Sequence, residues 1–178
     1  MIDYCPYCGI EFKDCNCTER KRRSNMIDSS IFLGAYDEGK FSEECDVILN
    51  GAKENIYIGH VSTIILGEIM KKLLKFKKEA NYRYNDILED LFNKLLSFKL
   101  LYICEETIKN HSDLNIRGDE KSQDKLNLSC AIQNKCNLFI MKDSGFTYNK
   151  KGCLTSIAQI TDRKNKKLKK LLNEIKLR

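Results

Sequence analysis

Apolar residues recur along this chain with two alternating periods. Short runs dense in β-branched and aromatic residues predict strands at Asn25–Asp28, Ile56–Val61, Leu100–Cys104 and Asn137–Met141, with Thr155–Ile160 as a last edge strand. Between them the spacing shifts to three and four. Ile65, Ile69, Leu73 and Phe76 predict a helix capped by Ser62 and running to about Lys78. Ile87, Leu88, Leu91, Leu95 and Leu96 predict a second over about Asn85–Ser97. Further helices are expected within Lys40–Asn50 and over about Ser122–Lys135, and Ser29 or Ser30 should cap the segment after the first strand. Residues 110–121 are polar and read as loop. Strand and helix alternate, so the expected class is α/β with a mostly parallel sheet. The end of the chain is a basic helix with Leu168, Leu171, Leu172 and Ile175 on one stripe, which should dock on the parent sheet or serve as a dimer or partner contact.

In sheets of this class ligands collect at the carboxyl ends of the strands, and acids fall there. Asp28 and Asp143 each close a strand, while Glu68 and Asp124 lie in early turns of helices that follow other strands. With 25 acids in 178 residues any single placement means little. Position within the helices means more. Glu68 follows Ile64 and Ile65 by four and three residues, and Asp124 precedes Leu128 by four, on the face carrying Ala131 and Ile132. A carboxylate on a buried face must be paired or must coordinate something. No Arg sits at helical spacing to either acid, although Lys71 or Lys72 could reach Glu68. Two carboxylates about 4 Å apart repel by about 4 kcal/mol at an effective dielectric of about 20. A divalent cation relieves that repulsion, and an all-oxygen donor set favours Mg²⁺ or Mn²⁺. Taken alone, the pattern fits either a metal-binding cluster or four unconnected acids.

Length and composition narrow the class. A chain of 178 residues is one domain with room for a small appendage, and can bury roughly 70% of its unfolded surface. It has no run of eighteen apolar residues and no signal-like start, so a soluble cytoplasmic protein without membrane contact is expected. The net charge of +6 is uneven: Arg20, Lys21, Arg22 and Arg23 form one patch, and residues 163–178 carry eight Lys or Arg against one Glu. Such clusters favour polyanions or are simply solvated faces.

Nine cysteines without a secretion signal argue against a disulfide framework. Four of them lie in YCPYCGIEFKDCNC, where Cys5 and Cys8 have knuckle spacing and Gly9 permits the tight turn, with Cys15 and Cys17 as a second pair. The expectation is a closed structural Zn²⁺ site with Tyr4, Tyr7 and Phe12 as its small core. The expected boundaries are a zinc module and basic connector over 1–24, the α/β domain over 25–160 and the basic helix over 161–178. Cys45, Cys104, Cys130, Cys136 and Cys153 read as small buried hydrophobes, His60 as a satisfied core histidine and His111 as surface loop.

These motifs resemble the PIN-domain nucleases. MIDSSIFL resembles the family's first motif, HVSTIILGEIM its second with a helix-borne Glu, and DKLNLSCAIQNKCNLFIMKDSGF its third and fourth. The resemblance covers about residues 25–148. It implies a Rossmann-like three-layer fold and metal-dependent cleavage of RNA, or of flap-containing DNA in some branches. By position Asp28, Glu68, Asp124 and Asp143 match the acidic quartet, and Ser30 a hydroxyl residue that supports the metal site. Family members often carry Thr two residues before the last acid, where this chain has Met141. The expected function is therefore a Mg²⁺- or Mn²⁺-dependent endoribonuclease acting on single-stranded or structured RNA, with a protein partner or homodimer possible. The alternatives are an inactive nucleic-acid-binding scaffold or the toxin of a toxin–antitoxin pair.

Overall fold

The computed structural model describes residues 23–37, 39–78, 84–112, 116–118, 122–142, 146–148, 155–162 and 164–177. In chain order its elements are β1 (Ser24–Ile27), α1 (Ser29–Gly34), α2 (Ser42–Lys53), β2 (Ile58–Ser62), α3 (Thr63–Lys78), α4 (Tyr84–Leu95), β3 (Lys99–Leu101) and α5 (Glu105–Ser112). They continue with β4 (Ile116–Gly118), α6 (Ser122–Gln133), β5 (Leu138–Met141), β6 (Phe146–Tyr148), β7 (Ser156–Gln159) and α7 (Lys166–Lys176).

β1 is the middle of a five-stranded sheet ordered β3-β2-β1-β5-β7, and every pairing in it is parallel. β2 and β5 are buried along their whole length, as strands covered on both faces must be. The parity of β2 shows the two covers. Gly59 lies against Ala52 of α2 and the ring of Phe98, so closely that a Cβ there would stand 2.5 Å from the ring. Ser62, of opposite parity, hydrogen-bonds Asn127 of α6. α7 docks by Leu168, Leu171 and Ile175, all buried, and Ile175 packs against Gly51 of α2, where a Cβ would meet it at 2.6 Å. The docked helix is thus the parent-fold reading of the C-terminal stripe, with Leu172 partly buried beside it.

The core that joins the layers is apolar and continuous, from Met26, Ile27 and Phe139 in the sheet to Ile48, Ile65, Ile69, Leu128 and Ala131 in the helices. Buried Cys45, Cys130 and Cys136 belong to it. α2 and α6 both end with a residue in the left-handed region, Asn55 at φ 58° and Lys135 at φ 53°. The hydrogen bonds Ile56 N to Gly51 O and Cys136 N to Ala131 O then close each last turn and return the chain to the sheet.

Several expectations change. The cap after β1 is Asp28 itself, not Ser29 or Ser30, and it opens the short helix α1, which six residues of sequence do not announce. Residues expected as loop include the end of α5 and the strand β4, which pairs antiparallel with β6 in a separate two-stranded sheet. β3 stops at Leu101, and Leu96 is 84% exposed rather than part of the apolar face of α4. Cys104 is exposed. The four cysteines expected to bind zinc, together with Cys153, lie outside the described residues.

Candidate active site

The carboxyl ends of β1, β2 and β5 meet at one edge of the sheet. β1 ends at Ile27, and Asp28 continues its line in extended backbone, donating its N–H to Ile140 O at 2.8 Å. The Asp28 side chain turns back as the cap of α1, with Oδ1 accepting from Ser30 N at 2.9 Å. Its other oxygen, Oδ2, is buried without a partner, and the residue is 6% exposed. Burial pushes the Asp28 carboxyl up to about 6; the bonds from Ser30 work against this, and the charges of Glu68 and Asp124 add to it. Two acids from helices distant in sequence therefore stand close enough to Asp28 to act on its proton.

Each neighbour is positioned by its own element. Glu68 lies in the second turn of α3, half-buried, and its Oε2 accepts from Ser29 Oγ at 2.7 Å. The hydroxyl directly after Asp28 thus orients the carboxylate of α3, whereas Lys71 and Lys72 are both exposed. Asp124 lies in the first turn of α6 and is half-buried. Ser30 holds a third strand: its Oγ accepts from Lys142 N at 3.0 Å, just beyond the end of β5. Asp143, the next residue, lies outside the described residues. Met141 is 2% exposed in the core and offers no hydroxyl, so the contact to this strand end comes from Ser30.

Sequence reasoning named Ser62 only as a helix cap and did not single out Asn127. Ser62 does cap α3, accepting from Ile65 N at 3.1 Å, and it also donates to Asn127 Oδ1 at 2.6 Å. Asn127 is completely buried and its Nδ2 has no partner. The signal for it was a polar residue three after Asp124, on the helical face that carries Ala131.

Among the described residues no group of three or more His, Cys, Asp or Glu is gathered as a metal site. The chemistry of the edge nevertheless fits a hard divalent cation. The donors are all oxygen, one buried carboxylate oxygen is without a partner, and like charges press on it. Other residues do not belong to this edge. Arg23 precedes β1 at the far end of the strand from Asp28 and is bonded to Glu174 of α7 at 3.0 Å. His60 is buried in β2 with Nδ1 unpartnered, so it is not the satisfied histidine expected; burial, with the nearby Lys99 charge, pushes it down to about 4 and keeps it neutral at pH 7. His111 is helical rather than loop. Hydrogen bonds to Thr107 and Gln133 draw the exposed Cys104 thiol down to about 7, so this cysteine is no buried hydrophobe. No helix of the described residues is long and apolar enough to cross a membrane.

The sequence matches the family model of the PIN domain over residues 26–151. No curated protein matches it. Among solved structures, PAE2754 of Pyrobaculum aerophilum is 12% identical, covering 88% of this chain and 99% of that one with a TM-score of 0.54. VapBC2 of Rickettsia felis, solved bound to a DNA fragment from their promoter, is 18% identical over 67% of this chain and 87% of that one, with a TM-score of 0.48. At such identity the likeness to PAE2754 concerns the fold alone.

Proposed function

The chain belongs to the PIN domain family, and from that premise we propose that it is a divalent-cation-dependent endoribonuclease whose metal site is formed by Asp28, Glu68, Asp124 and Asp143. PIN domains are generally metal-dependent nucleases. The observation that carries the assignment to this edge is the buried, unpartnered Asp28 Oδ2 with the charges of Glu68 and Asp124 acting on it. A carboxylate is tolerated there only if it is protonated or neutralised by a cation.

Asp28 and Asp143 would hold Mg²⁺ or Mn²⁺ directly, and Glu68 and Asp124 directly or through water. When bound, the cation supplies a more acidic water and stabilises the leaving oxygen of a phosphodiester. The chain's own part is positional. Ser29 aims Glu68, and Ser30 ties the cap of α1 to the end of β5. The exposed Lys164, Lys166, Lys169 and Lys170 supply a sequence-independent attraction for the RNA backbone that weakens with salt. Cys5, Cys8, Cys15 and Cys17 would hold a structural Zn²⁺, detectable as one zinc per chain in the purified protein and released on replacing Cys5 and Cys8 by Ser.

Incubation of a labelled single-stranded RNA with the wild type in Mn²⁺ should give internal cuts that EDTA abolishes. Asp28→Asn and Asp143→Asn should each lower the rate by two orders of magnitude or more while RNA binding persists. RNA binding without cleavage by the wild type would instead identify an inactive scaffold. Growth arrest on expression, relieved by a small protein partner, would mark the same activity as a toxin.

A further inference from the structure

The unpartnered buried side-chain atoms of the described residues are Asn25 Nδ2 and Oδ1, Asp28 Oδ2, His60 Nδ1 and Asn127 Nδ2. Two of them, an acceptor and a donor, fall at the same edge. In the β1–β2 register Met26 pairs with His60, which makes Asp28 and Ser62, two residues further along each line, equivalent positions on one face. Neighbouring strands stand about 4.8 Å apart. Ser62 then draws Asn127 to that edge by its 2.6 Å bond to Oδ1. Because a hydroxyl donates to the amide oxygen, the amide's orientation is fixed, and Nδ2 is left as a fully buried donor with nothing to donate to. Asn127 lies one turn after Asp124, which places this donor and that acid on one side of α6.

We infer that Asn127 is a positioning residue of the acidic site, locked by Ser62 so that its Nδ2 bridges through one water molecule to Asp28 Oδ2. The two atoms make no direct hydrogen bond, and one water between a donor and an acceptor satisfies both. The bridge fixes how Asp28 presents its carboxylate to a cation, as the outer partners of metal ligands do. Ser62 is the shared post: one hydroxyl caps the helix that carries Glu68 and holds the helix that carries Asp124.

This inference rests on the metal-site assignment above, and the two fail separately. The test is Mn²⁺ affinity, by calorimetry and by the spectrum of the bound ion, in wild type, Asp28→Asn, Asn127→Ala, Ser62→Ala and the Asn127→Ala/Ser62→Ala pair. The melting temperature without metal reports folding. Asn127→Ala should weaken Mn²⁺ binding about tenfold or more. Ser62→Ala should do the same in a folded protein, and the pair should be no weaker than the worse single variant, because both remove one arrangement. A merely structural Asn127 would lower the melting temperature and leave the affinity of the folded protein unchanged, which overturns the inference while Asp28→Asn still abolishes binding. Losses that multiply in the pair also overturn it. A wild type that binds no Mn²⁺ removes the metal site and this inference together.

Discussion

Asp28 concentrates the conflict on which this site depends. Its backbone and Oδ1 are satisfied, and its Oδ2 is not. The unfolded carboxyl loses its proton near 3.8, whereas the folded one keeps it until about 6. Between those values the native state binds more protons than the unfolded chain, so stability falls as pH rises through the window. At 1.36 kcal/mol for each tenfold change in proton affinity, the full loss is about 3 kcal/mol, complete above about pH 6 in metal-free protein. Asp28→Asn keeps an oxygen to cap α1 and carries no charge. In EDTA, urea unfolding should therefore find the variant more stable than wild type at pH 7, with the difference shrinking toward pH 4.5. A variant less stable than wild type at pH 7 would show that the buried charge is not under strain.

At the scale of elements, α4 is held by a contact that periodicity did not reveal. Lys94 is 6% exposed, yet its Nζ donates to Asp46 of α2 at 2.7 Å and to Asp90 of its own helix at 2.6 Å. It also stands 5.1 Å from the centre of the Tyr36 ring, whose hydroxyl donates to Asp90. Burial opposes the ammonium charge, but the bonds to Asp46 and Asp90 outweigh it and keep Lys94 protonated. Both aspartates are over 40% exposed and can rehydrate. Lys94→Ala should thus cost about 2–3 kcal/mol, through the lost stem as much as the lost charge, and Asp90→Asn less than about 1 kcal/mol. Equal losses for the two variants in denaturant titrations would contradict this ranking. The elements that were legible share one property, a long apolar stripe or a fully buried run: α3, α6, β2 and β5 lie within a few residues of their predicted ends. α1, β4 and β6 were not legible because three to six residues carry no period, and their backbones are set by tertiary pairing. Leu96 misled for the opposite reason, since it fits the stripe of α4 but falls past its last residue.

For the whole molecule, the parallel sheet brings residues forty and nearly a hundred positions apart to one edge. Asp28, Glu68 and Asp124 were visible in sequence because each interrupts or ends an apolar pattern. Ser29 and Ser62 were visible only as candidate caps and Asn127 not at all, because short polar side chains near helix starts are common and only the folded register shows what they hold. Of the basic patch at residues 20–23 only Arg23 is described, and it is tied to Glu174 of α7 at the end of β1 away from the acids. Burial and the charges of Glu68 and Asp124 press on the Asp28 carboxylate, and in the proposed site a hard cation makes that tolerable. Thermal unfolding with and without Mn²⁺, run in parallel on wild type and Asp28→Asn, tests it most directly. Mn²⁺ should raise the melting temperature of the wild type by several degrees and leave that of Asp28→Asn unchanged. An equal response of the two proteins, or none in the wild type, would contradict it.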